Sequence, residues 1–278
     1  MNRLRKKAEE IRKKTLEIIF RSKAGHLGGS MSDVEILVAL FYRAMHYDPQ
    51  NPKWKERDRF ILSKGHSAES YYAVLSDVGF FPEDELKRYG TYRSRLMGHP
   101  NTKIPGVEIS TGALGHGLSC GVGMALGNRM NGVGSKCFVL MGDGELAEGS
   151  VWEAAMAAAN YKLDHLVAII DRNGLQISGP TEQVMRTEPL KDKWEAFGWK
   201  VLEADGHDID ALSALFENAP AVPGKPTMVI AHTVKGKGVP FAENIAKWHH
   251  GVPNEEEYQT ALRAIEKSGE EIQADGGR

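Results

Sequence analysis

The stretch "MGDGELAEGSVWEAAMAAANYKLDHLVAIIDRNG", residues 141–174, holds the decisive pattern. Asp143 follows the apolar run "CFVLMG", and Asn173 follows the apolar run "HLVAIID". Runs of this length bounded by glycine turns read as buried strands, and the alanine-rich segment between them has helical length and period. A strand–helix–strand unit sets its strands parallel, because a parallel return needs a crossover. Asp143 and Asn173, 30 residues apart, then leave the same edge of one sheet. Gly142 and Gly144 let the chain turn sharply and bring backbone N–H groups close to an anion. Two oxygen ligands beside such groups suit a magnesium ion bridging two phosphates, with the Leu175 carbonyl completing the protein's share of an octahedron. The plain alternative is a pair of ordinary turns, since "GDG" and "RNG" are both good turn sequences.

Three further apolar runs, "RFILS" from Arg59, "WKVLEA" from Trp199 and "TMVIAHT" from Thr227, read as strands. Segments of helical period lie between most of the strands, including 150–161 and 209–218. The fold class is therefore α/β, a parallel twisted sheet with helices on both faces and ligands collecting beyond the carboxyl ends of its strands. Ahead of this alternation, helices are expected over 4–21, 34–45, 68–78 and 82–89, the second preceded by a capping box of Ser32 and Glu35. The segment 112–130, "GALGHGLSCGVGMALGNRM", is expected to be a helix packed closely against another backbone, with helix–helix packing at Gly121, Gly123 and Ala125. No linker or repeat divides the chain, so 1–278 reads as one domain with a flexible tail from about 268.

A chain of 278 residues with formal net charge −2 has no broad attraction for nucleic acid or an anionic membrane. No apolar stretch approaches a membrane span, and none resembles the core of a signal peptide. The two cysteines, Cys120 and Cys137, lack zinc or C-x-x-C spacing and read as free thiols in a reducing cytoplasm.

The GDG motif followed by Asn173 is similar to the thiamin diphosphate motif. The segments "GDGELAEGSVWEAAMAAA", "LSKGHSAESYYAVL", "MGHPNTKIPGVEISTGALGHGLS" and "VKGKG" followed by "WHHG" resemble the N-terminal, diphosphate-binding half of transketolase from about Lys6 to Tyr258. The resemblance implies Asp143, Asn173 and the Leu175 carbonyl on magnesium, for which calcium or manganese would substitute, with Gly142 and Gly144 beside the diphosphate. It puts His66 and Lys235 on diphosphate or cofactor positions, and Gly112 and Leu114 against the thiazole and aminopyrimidine. It puts Glu148 in the network between paired cofactors, and His26 and His99 around the reacting carbon and sugar hydroxyls. The last active-site histidine is implied in "WHHG": Trp248 and the spacing from Lys235 favour His249, whereas the following "HGVP" favours His250. His116 departs from the glutamine usual at its place and carries no assigned role. His46, His165, His207 and His232 take a structural reading.

The family usually continues into a pyrimidine-binding domain and a third domain. The resemblance ends before both, which implies a split transketolase whose partner subunit carries the pyrimidine-binding half, paired as an α2β2 heterotetramer. The implied reaction moves a two-carbon ketol unit from a ketose to an aldose, with sugar phosphates of the pentose phosphate pathway as default substrates. Deoxyxylulose-phosphate synthases share GDG and Asn, but "SKGHS" and "TGALGHG" resemble transketolase more. A cofactor-binding assembly subunit without turnover is the reading from another class, and the retained histidines with Glu148 stand against it.

Overall fold

The computed structural model of the chain describes residues 2–275. Its centre is a sheet of five parallel strands in the order β1-β2-β3-β7-β6. These are β1 (Arg59–Leu62), β2 (Cys137–Gly142), β3 (Leu166–Arg172), β6 (Lys200–Asp205) and β7 (Thr227–His232), the five runs expected from the sequence. A short antiparallel hairpin of β4 (Leu175–Gln176) and β5 (Gly179–Pro180) follows β3 and was not expected.

Side chains alternate across the sheet because the strand period is two. Phe60, Phe138, Leu140, Ile169 and Val229 face one side, where Val34, Leu37, Tyr71, Leu212 and Phe216 cover them. Ile61, Val139, Met141, Ile170 and Met228 face the other, under Leu118, Val151, Ala155 and Trp194. The helices Gly117–Met130 and Gly149–Asn160, which lead into β2 and β3, thus lie on the second face, while Ile209–Glu217, which leads into β7, lies on the first. The reversal falls between the neighbours β3 and β7. In open parallel sheets the crevice at such a switch point, beyond the carboxyl ends, is where ligands bind.

A third cluster joins the two ends of the described chain. Leu16 and Ile19 of helix Asn2–Ser22 pack with Ala261 and Ile265 of helix Glu255–Asp275. The expected flexible tail from about 268 is corrected to this extent: helix continues to Asp275, and residues 276–278 lie outside the described residues.

Two local expectations are also corrected. Ser32 and Glu35 form no capping box. The Ser32 hydroxyl is bonded to the Gly29 carbonyl and Asp171, Glu35 is drawn to Arg12 and His207, and the helix Val34–Ala39 starts from Asp33 without a side-chain cap. Buried tertiary partners outcompete the local motif. In the segment 112–130 only Gly117–Met130 is helical, and its close approach is to the sheet. A Cβ on Gly121 would lie 2.5 Å from Val139 Cγ2, whereas Gly123 has open space around it.

Candidate cofactor and active site

The register of β2 against β3 pairs Gly142 with Asp171, so the chain leaves both strands at the same level. Asp143 therefore meets the turn after β3. Its Oδ1 accepts the Gly144 N–H at 2.8 Å and its Oδ2 accepts the Gly174 N–H at 2.5 Å. Asn173 Oδ1 accepts the Leu175 N–H at 3.1 Å. A Cβ on Gly144 would lie 2.9 Å from Gln176 Cβ, so glycine is what lets the two loops close on each other.

These loops wall a cavity of about 400 Å³. Gly142, Asp143, Gly144, Glu148, Asn173 and Leu175 line it, joined by His66, Gly112, Leu114, Lys235 and His249. His26, His99 and His250 complete the gathering at one side: the His26 ring centre lies 5.3 Å from that of His66, 6.1 Å from His99, 5.8 Å from His249 and 4.8 Å from His250. His249 stacks on His66 at 4.9 Å, facing the cavity, whereas His250 is exposed beside His26. The choice between them that the sequence left open becomes a difference in depth.

Non-local closures bring this cluster together. The Gly251 N–H donates to the Gly25 carbonyl at 3.3 Å, forming a bridge that lays "WHHG" along "AGHLGG". Gly112, at φ +132°, lets the His99 ring approach: a Cβ there would lie 2.7 Å from His99 Cδ2. Glu69, which sequence reasoning passed over, accepts from His26 N, Ser30 Oγ and Tyr89 Oη at 3.3, 2.7 and 2.6 Å and so fixes the turn before His26.

The electrostatics are unusual for a protein interior. Burial pushes Asp143 up to about 6, with the Asp171 charge adding to the effect. Burial brings Lys235 down to about 8, and its ammonium reaches only the Leu175 carbonyl, at 3.5 Å. Neither has an ion-pair partner among the described residues. Burial, followed by neighbouring positive charge, lowers His26 to about 4, His66 to about 2 and His249 to about 3, so all three imidazoles are neutral at physiological pH. A neutral imidazole offers one N–H donor and one nitrogen acceptor, so these rings can hydrogen-bond a ligand in the cavity without adding charge.

Other residues missed from the sequence form the floor. Lys64, 2% exposed, sits 3.0 Å from Asp33, donates to the Gly29 carbonyl at 3.0 Å and is ion-paired with Asp171. Glu145 accepts from Ser63, from Gly115 N at 2.8 Å and from Gly142 N at 3.2 Å, tying the loop 112–116 to the strand ends. Their signal was adjacency to the motifs, Lys64 in "SKGHS", Glu145 in "GDGE" and Asp171 in "IIDRNG". Among the described residues no three His, Cys, Asp or Glu side chains group as a metal site. The donor set here is one carboxylate, one amide and a carbonyl, all oxygen, which fits a hard cation that keeps water and phosphate ligands.

Residues 4–269 match the family described as "Transketolase, thiamine diphosphate binding domain". The chain belongs to the transketolase family. One of the subunits of the apulose-4-phosphate transketolase of Phocaeicola vulgatus is 49% identical to it over 266 residues, 96% of this chain and 95% of that one. The 6-deoxy-6-sulfo-D-fructose transketolase subunit SqwG of a Clostridium species is 43% identical, covering 96% and 97%. The solved transketolase of Campylobacter jejuni superposes with a TM-score of 0.90 at 29% identity, over 98% of this chain and 46% of that longer one. Each of these two relatives matches end to end and is named as a transketolase subunit, and the sheet has the transketolase fold. No helix among the described residues is long and apolar enough to cross a membrane.

Proposed function

We propose that this chain is the cofactor-binding subunit of a two-chain transketolase that moves a two-carbon ketol unit from a ketose to an aldose, using thiamin diphosphate and Mg2+. The observation that carries this is the pair of buried, unpaired charges facing one cavity: the Asp143 carboxylate needs a cation and the Lys235 ammonium an anion. A magnesium diphosphate answers both at once. Asp143, Asn173 Oδ1 and the Leu175 carbonyl would hold the cation. Lys235, His66 and the turn about Gly142 and Gly144 would hold the diphosphate, with Gly112 and Leu114 against the rings. The chemistry the cofactor supplies when bound is a carbon nucleophile backed by an electron sink.

His26, His99 and His250, at the open side of the cluster, bind sugar hydroxyls and exchange protons with them. His249, stacked on His66, serves the cofactor side. Glu148, exposed at the start of helix Gly149–Asn160, faces the neighbouring site of the assembly. The substrates are sugars with a terminal anion, sugar phosphates by default, in keeping with the phosphate and sulfonate named in the relatives. The partner subunit carries the pyrimidine-binding half, the assembly is α2β2, and the free thiols of Cys120 and Cys137 suit the cytoplasm. The contact surface includes helix Gly117–Met130, where Gly123 and Gly127 have open space around them and Met130 is 80% exposed, together with Ile177, 69% exposed at the cavity.

Assaying the purified chain with Mg2+, thiamin diphosphate and a ketose–aldose pair, with and without its partner, tests the reading. Turnover is expected only on mixing, and robust turnover by the chain alone would overturn it.

A further inference from the structure

Lys235 lies on the irregular segment after β7, residues 233–238, yet its ammonium enters the cavity from a defined direction. That segment is gripped on either side of the lysine. On one side the Val234 N–H donates to His207 Nε2 at 2.8 Å, and His207 Nδ1 lies 2.9 Å from Glu35 Oε2. On the other, Arg12 Nη1 donates to the Lys237 carbonyl at 2.9 Å and to the Met31 carbonyl at 2.8 Å, while its Nη2 is ion-paired with Glu35 Oε1. Glu35 is 7% exposed; burial pushes its carboxyl up, but Arg12 and His207 outweigh this and hold it near about 2. It is therefore a carboxylate. An imidazole nitrogen that accepts an N–H carries no proton, so the ring proton of His207 sits on Nδ1 and is donated to Glu35.

We propose that Glu35 and His207 act as a positioning dyad for the cofactor site. Glu35 fixes the tautomer of His207, whose Nε2 clamps the main chain at Val234 so that the adjoining Lys235 is presented to the diphosphate. The proposal rests on the reading of Lys235 as a diphosphate ligand. His207 does not line the cavity, so its influence passes through the backbone.

His207→Asn keeps a donor at the level of Nδ1 and removes the acceptor at Nε2, whereas His207→Gln places an oxygen near the Nε2 position. Amide hydrogen exchange at Val234 in the full chain, and the affinity for thiamin diphosphate with Mg2+ in the chain reconstituted with its partner, are measured for both. For His207→Asn, exchange at Val234 is expected to quicken by about tenfold and affinity to weaken by up to about tenfold, the range one neutral hydrogen bond supplies. His207→Gln is expected to recover most of both. Unchanged exchange in His207→Asn, or faster exchange with undiminished affinity, would overturn the dyad. Full affinity in Lys235→Met would instead overturn the reading of Lys235, and Val234 exchange would still judge the clamp. Should either His207 variant fail to fold, 15N spectra of the unaltered chain decide: an unprotonated His207 Nε2 coupled to the Val234 amide supports the proposal, and a protonated Nε2 overturns it.

Discussion

Lys64 and Asp171 lie in the floor of the cavity, with Asp33 ion-paired to Lys64, and Asp143 and Lys235 stand in its wall; all five are at most 3% exposed. In the floor the ammonium sits between two carboxylates, so that Lys64 is raised and Asp171 lowered from their ordinary values despite burial, while burial still carries Asp33 up to about 6 against the pull of Lys64. In the wall burial dominates, and Asp143 and Lys235 move in the opposite senses. The same residue types at the same depth thus serve two ends. Charges that complete one another hold the loops in place, and charges left incomplete mark where a ligand of both signs belongs.

The comparison breaks most visibly at Lys64. Lys64→Met keeps the stem but leaves two buried carboxylates without their cation, and should cost about 3–5 kcal/mol of folding stability. Urea unfolding of the isolated chain measures it, and a loss under about 1 kcal/mol would remove the contrast between floor and wall.

Asp143→Ala should cost the ligand-free chain much less, because the lost bonds to the Gly144 and Gly174 N–H groups are offset by removal of a buried carboxylate that has no cation beside it. Affinity for thiamin diphosphate with Mg2+ should fall by at least about a hundredfold, roughly 2.7 kcal/mol. Calorimetry on the reconstituted enzyme checks this, and undiminished binding would take Asp143 off the cation.

The histidines sharpen the contrast between the depth of the cavity and its mouth. His99→Ala should lower kcat/KM by roughly ten- to a hundredfold, the worth of about 1.5–3 kcal/mol for a hydrogen bond to a charged group, with cofactor affinity unchanged. His249→Ala should weaken the cofactor more than the sugar. Steady-state kinetics beside cofactor titration separates the two, and equal effects on both would collapse the distinction.

The smallest effect is a pH slope. The folded values of His26, His66 and His249 lie below the usual 6.5, so the unfolded chain takes up protons first. Stability of the ligand-free chain should be level in this respect above pH 6.5 and fall as pH drops from there toward 4, the sign required when the unfolded state binds more protons. His66→Leu should flatten the slope in urea unfolding between pH 7.5 and 5.

The five strands were legible because each is a local apolar run, and the level ends of β2 and β3 follow from parallel pairing of two such runs. That placement of Asp143 beside Asn173 was physics readable along the chain. The histidine set was legible only by resemblance, since nothing in its spacing says that His26 lies near His250. The capping box at Ser32 and Glu35 misled because both side chains have stronger buried partners far away in sequence, Asp171 and Arg12.

By itself the sequence determined the α/β class, the five strands and the turn chemistry at "GDG" and "RNG", because periodicity and glycine act over a few residues. Only the tertiary structure decided that Lys64 would be paired and Lys235 left free, and that His249 would lie deep while His250 stayed at the rim. It alone turned His207 toward the loop carrying Lys235. Each of these depends on which distant element closes over a side chain, and burial and charge pairing are properties of that closure.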